Sequence, residues 1–148
     1  MKLIKLIGLL GFIGLVVVFL FSKLQKEVAE AVWFDGSWPY RVGYTVTNGG
    51  SALTNYQVKL TLNTANLISL KKLQSSCADI RVASQDGTSL TYWLENNTCN
   101  TTTTAIWTKV PTLAAGTSTI YVYYGNSSAA DSQSGTNTFE LFDDFSGS

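Results

Sequence analysis

Tyr40-Arg-Val-Gly-Tyr-Thr-Val-Thr-Asn48 alternates, with Tyr40, Val42, Tyr44 and Val46 on one side and Arg41, Gly43, Thr45 and Thr47 on the other. A period of two sends successive side chains to opposite faces, so this stretch reads as a half-buried β-strand. Asn48-Gly-Gly-Ser51 is turn chemistry, and Tyr56, Val58, Leu60 and Leu62 repeat the alternation in a second strand. Residues 63–73 hold Leu67, Ile68, Leu70 and Leu73 and read as a helical turn or an irregular cover over one end of the core. A third strand spans 78–84, and Asp86-Gly87 signals a two-residue hairpin turn. Residues 90–95 return as the fourth strand and residues 103–110 form a fifth, ended by Pro111. Ala114-Ala-Gly116 turns into a sixth at 118–124, a polar loop covers 127–137, and 139–145 reads as a seventh. Short strands at regular spacing, without a long interior helix, predict an antiparallel β-sandwich of jelly-roll or Ig-like form.

Upstream the character changes. Trp33-Phe-Asp-Gly-Ser-Trp-Pro-Tyr40 is an aromatic-rich hinge, and the run before it, from Leu6 to Phe21, carries no charge. A helix apolar on every side needs lipid or other helices all round. Lys2 and Lys5 flank it on one side, Lys23 and Lys26 on the other. From Lys23 to Val32 strong helix formers continue, with Leu24, Val28, Ala31 and Val32 on one face. Lys23 with Glu27, and Lys26 with Glu30, make i,i+4 pairs of ~0.3 kcal/mol each. The expectation is one helix from about Leu3 to Val32, roughly 45 Å long at about 1.5 Å per residue. The fold class is therefore α+β: a hydrophobic helical segment, 1–32, then a sandwich domain, 33–148.

Three uses fit such a segment. A secretory signal would have a basic start, an apolar middle and Ala29-Glu30-Ala31 as a cleavage site. An uncleaved membrane anchor needs only the apolar run. The third is the helix of a type IV pilin-like subunit, which the segment resembles in its apolar helix, amphipathic extension and single β domain. Gly8, Gly11 and Gly14 fall near one stripe and would permit close helix approach, with Val17 at the centre of the packed region. Lys5 stands where bacterial type IV pilins usually carry Glu, and the lack of a helix-breaking proline resembles archaeal pilins more.

The chain of 148 residues has 10 basic and 10 acidic side chains, a formal net charge of zero and no histidine. No basic patch suggests nucleic acid, and the commonest general base and zinc ligand are both missing. With no triad, metal cluster or phosphate loop, the expectation is no enzyme and no cofactor. Threonine, serine and asparagine supply polarity in place of charge, as on exported surfaces. Cys77 and Cys99 are an even pair in a chain with an export segment, so a disulfide is expected. It would close a loop of about twenty residues, contribute ~3 kcal/mol and staple the open end of the 78–95 hairpin.

Candidate sites are sparse. Asp143-Asp144 with Glu140 offers oxygens for Ca²⁺ without the spacing of a calcium loop. Asp79 with Arg81 reads as an ion pair, and Asp79 with Glu95 as a weak carboxylate pair. Trp33, Trp38, Trp93 and Trp107 suit a sugar-stacking platform, although strand periodicity sends most of them to the core. Three N-x-[ST] sequons, at Asn96, Asn100 and Asn126, all fall in expected loops and predict glycosylation.

The pieces WPYRVGYTVTN, LTNYQVKLTL, CADIRV, DGTSLTYWLE, AIWTKVPTL, TIYVYYGN and FELFDDF resemble a secreted β-rich domain of unknown function, number 2341. The likeness runs from Trp38 to Phe145 and implies a β-sandwich of exported surface proteins, without implying an activity. Together these features predict a structural subunit of an extracellular filament. Identical chains would be its partners, the membrane would hold it before assembly, and sugars would decorate the outer domains. A membrane-anchored module binding carbohydrate or another surface ligand is the alternative.

Overall fold

The computed structural model describes residues 33–143. The expected helix over 1–32, with Gly8, Gly11, Gly14 and Val17, and the final residues 144–148 lie outside the described residues. Among the described residues there are seven strands: β1 (Tyr40–Asn48), β2 (Leu53–Leu62), β3 (Arg81–Ser84), β4 (Ser89–Leu90), β5 (Tyr92–Leu94), β6 (Thr104–Leu113) and β7 (Gly116–Tyr124). Helix α1 (Thr64–Ser69) and the single turn α2 (Gly135–Thr138) complete the elements. The strands form two antiparallel sheets, ordered β1-β7-β3-β4 and β2-β6-β5.

The core lies between the sheets. Val42, Tyr44, Val46, Val82, Ile120 and Val122 from the first sheet meet Leu60, Leu62, Tyr92, Leu94, Ile106 and Val110 from the second. The alternation of β1 therefore does what the sequence predicts, burying one side and leaving Arg41 and Gly43 on the other. Helix α1 covers one end, capped by the Asn63 side chain, whose oxygen accepts from the Asn66 N–H at 3.0 Å.

β3 starts three residues later and β7 two residues earlier than the sequence reading, and four larger differences stand beside these shifts. Residues 90–95 are two strands in different sheets: β4 pairs with β3, and β5 pairs with β6. Leu90, Tyr92 and Leu94 all face the inter-sheet core, so their alternation survives while the chain crosses at Thr91. The β3–β4 turn has three residues, 85–87, with Gly87 at φ +84° and Ser84 N–H donating to Thr88 O at 2.9 Å. This register sets Val82 opposite Leu90, keeping both inside, where a two-residue turn would have slipped it by one. Pro111 does not end the fifth strand, because β5 reaches only Thr108 and leaves that part of β6 at an edge. Opposite Pro111 lies Asn55 at φ +50°, and inward parity changes on both strands there, from Val58 and Val110 to Leu53 and Leu113. Lastly, Phe139–Asp143 is not a strand; the polar loop ends in α2, and the segment after it lies irregularly.

The Cys77–Cys99 disulfide is present, with Cα atoms 6.1 Å apart. Because β4 and β5 part company, it does not staple a hairpin. It joins the turn before β3 to the β5–β6 loop, and so ties one sheet to the other at the end covered by α1. The lead-in at Trp38 and the loop after β7 lie at that same end. The opposite end carries three turns, and Asn48 Nδ2 links two of them by donating to Leu113 O (3.2 Å) and Ala114 O (3.3 Å).

Candidate functional site

Each sheet has an outer face, and a flanking segment of the chain lies on each. On the β1-β7-β3 sheet, Gly43 and Tyr121 are register partners, and a Cβ at Gly43 would stand 3.0 Å from the Tyr121 ring. The missing side chain lets the ring lie across the strand. The Arg41 guanidinium sits 4.3 Å from that ring's centre and 4.4 Å from the centre of Trp33. Arg41 also donates to the Tyr123 hydroxyl at 3.1 Å, and that hydroxyl accepts from the Phe34 N–H at 3.2 Å. Trp33 Nε1–H donates to Trp38 O (3.0 Å), and the buried Trp38 Nε1–H to Asp79 O (2.7 Å). Asp35 closes the intervening turn by accepting from Ser37 N–H, a bond that holds its carboxyl below the usual carboxylate range. Residues 33–38 thus form a hook fastened by hydrogen bonds.

On the other sheet, Trp93 and Trp107 are cross-strand partners. Phe139 and Phe142, stacked on one another with centroids 5.9 Å apart, meet Trp93 edge-on at 5.9 and 5.1 Å. Phe142 fits because Gly135 has no side chain: a Cβ there would collide with the ring. The Glu95 carboxylate accepts from Trp107 Nε1–H at 3.3 Å and lies 3.6 Å from Lys59 Nζ. Both charges are half-exposed, so this pair contributes little to stability. The two tryptophans, the two phenylalanines and Glu95, with Leu141 and Asp143, line a shallow cleft of about 330 Å³. Leu141 is 94% exposed.

The carboxylates do not combine as the sequence suggested. Asp79 is 1% exposed, and its two oxygens accept from Gln74 N–H (3.0 Å) and Gly125 N–H (2.8 Å). It anchors loops, while Arg81 donates to the carbonyls of Ala78, Ile80 and Ala130 instead of pairing with it. Glu95 belongs to the tryptophan face, with partners of its own. Asp143 and Glu140 are exposed, Asp144 is outside the described residues, and no cluster of metal-ligating side chains occurs among the described residues. Of the four tryptophans, Trp38 is buried, Trp33 belongs to the hook, and Trp93 with Trp107 makes the cleft.

Sequence reasoning missed the buried hydroxyls. Thr64, Thr104, Thr108 and Thr138 are fully buried. Thr104 and Thr101 each donate to Thr98 O at 2.6 Å, Thr98 donates to Glu95 O at 2.7 Å, and Asn100 N–H donates to Thr64 Oγ1 at 2.9 Å. These bonds stiffen the loop that carries two of the sequons. Tyr92 is another bridge: its hydroxyl donates to Ile80 O at 2.6 Å, and burial pushes its pKa up.

Comparison with known proteins adds one likeness, to part of the chain. No curated protein and no solved structure matches the chain. The likeness read from the sequence began at Trp38, whereas the match starts just before Cys77 and leaves β1 and β2 outside it. Residues 76–148, which carry β3 to β7, both cysteines and the cleft's tryptophans, match the Domain of unknown function (DUF2341), a β-rich domain.

Proposed function

We propose that the chain is a structural subunit of an extracellular filament of the type IV pilus kind, resembling archaeal pilins more than bacterial ones. In this reading the segments from Leu3 to Val32 are helices that leave the membrane and pack together as the filament core. The sandwiches form the outer shell, identical chains are the partners, and no catalysis is assigned. The observation that carries it is continuity: charge-free Leu6–Phe21 passes through helix formers to Trp33 without a flexible linker. The hook supports the reading, because fastening Trp33 and Phe34 to β7 and Arg41 would let a rigid helix set the domain's position.

A membrane-anchored surface module is the second reading, favoured by the cleft with its two tryptophans and the Glu95 carboxylate. Gly11→Leu separates the two. It keeps the segment hydrophobic but obstructs close helix approach. A filament subunit should still reach the membrane yet give few or altered filaments. An anchor should insert and display its domain as before, which would overturn the filament reading.

A further inference from the structure

From the geometry of the three sequons we infer that Asn100 is the principal site of N-linked glycosylation, and that Asn96 and Asn126 are poorer acceptors. A sequon is read through two groups, the asparagine amide and the hydroxyl two residues on. At Asn126 the amide oxygen and the hydroxyl are bonded to each other: Oδ1 accepts from Ser128 N–H at 3.1 Å and from Ser128 Oγ at 2.9 Å. Asn126 is also only half-exposed. At Asn96 the amide is exposed, but the Thr98 hydroxyl is committed, donating to Glu95 O and accepting from Ala105 N–H at 3.3 Å. At Asn100 both residues, Asn100 and Thr102, are exposed. Asn100 stands at φ +61° on a loop held from beneath by Thr64 and Thr101, with Ala65 N–H donating to Thr101 O at 3.1 Å. The neighbouring disulfide fixes the same loop. The acceptor is thus presented outward on a rigid base.

The transfer joins Asn100 Nδ2 to the anomeric carbon of a sugar carried on a lipid phosphate. The bond from that carbon to the phosphate oxygen breaks, the lipid phosphate leaves with the electron pair, and the Nδ2 proton passes to a base of the transferring enzyme. The site lies at the disulfide end of the sandwich, where the chain leads into β1, so the sugar would sit beside the hook's end and not at the three-turn tip. The inference rests on export, which the filament and anchor readings share, and not on assembly.

The test is glycopeptide mass spectrometry of the full chain recovered from the surface of its own host, beside Asn100→Asp and Thr102→Ala. Aspartate tolerates the left-handed backbone, and Thr102→Ala leaves Asn100 untouched, so a fold defect in one variant does not decide the outcome. The expected result is the greatest occupancy at Asn100, with that added mass lost in both variants. An unmodified chain, or occupancy at Asn96 or Asn126 equal to or above that at Asn100, would overturn the proposal. Filaments built of unmodified chains would overturn it while leaving the filament reading standing.

Discussion

Both outer faces of the sandwich are covered by chain that flanks the strands, yet the two coverings are built differently. The hook at 33–38 is fastened by hydrogen bonds to the Tyr123 hydroxyl (3.2 Å) and Asp79 O (2.7 Å), and by the Arg41 guanidinium lying 4.4 Å from the centre of Trp33. The segment at 139–143 lies on Trp93 and Trp107 by ring packing, and it leaves Leu141 almost wholly in water. Directional bonds fix an orientation, whereas apolar packing tolerates small shifts at little cost. The hook at 33–38 is therefore the covering whose orientation is specified by directional bonds. The C-terminal segment is an apolar cover.

Removing one ring from each covering should destabilise the fold unequally. Trp38→Ala deletes a buried indole and the donor to Asp79 O, and should cost about 3–5 kcal/mol in denaturant unfolding. Phe142→Ala removes a half-buried ring, and about 1–2 kcal/mol is expected. Equal losses would erase the distinction. Next in size is the disulfide, which should stabilise both coverings alike because it ties the sheets beneath them. Replacing Cys77 and Cys99 by serine should remove about 3 kcal/mol, without exposing either covering selectively to protease.

Gly135→Ala acts on the 139–143 covering alone. Its Cβ would displace Phe142, so chymotryptic cleavage near Leu141 should accelerate while global stability falls by only about 1 kcal/mol. Unchanged cleavage would mean that Phe142 is not held as described. The smallest effect is a control in the shared core. Tyr92 has a folded pKa raised above its ordinary value near 10, so the unfolded chain loses that proton first as pH rises. Its contribution is intact below pH 10 and declines above it. Tyr92→Phe should flatten the stability profile above pH 10, and an unaltered slope there would contradict the burial.

Where the sequence could be read, and where it could not, follows from what a side-chain pattern encodes. Alternation reports which face is buried, so β1, most of β2 and β7 were legible, and so was the cysteine pair. It does not report which sheet a strand joins: Leu90, Tyr92 and Leu94 point inward in either sheet, and the crossing at Thr91 left no mark. The segment after α2 misled because Phe139 and Phe142, three residues apart, both meet Trp93 while Leu141 points to water. That spacing is not a strand's, although aromatic content suggested one. The sequons were plain, but their ranking depends on hydroxyl partners such as Glu95 O and Ala105 N–H, which only the folded loop brings together.

Electron microscopy of filaments sheared from the cell surface, with peptide identification of their subunit, decides between filament subunit and membrane anchor. The account predicts thin helical filaments in which this chain is the principal protein, with residues 1–32 in the core and the sandwiches outside. A chain found only as a detergent-soluble monomer in the membrane fraction, from cells whose sheared material lacks it, would contradict the claim.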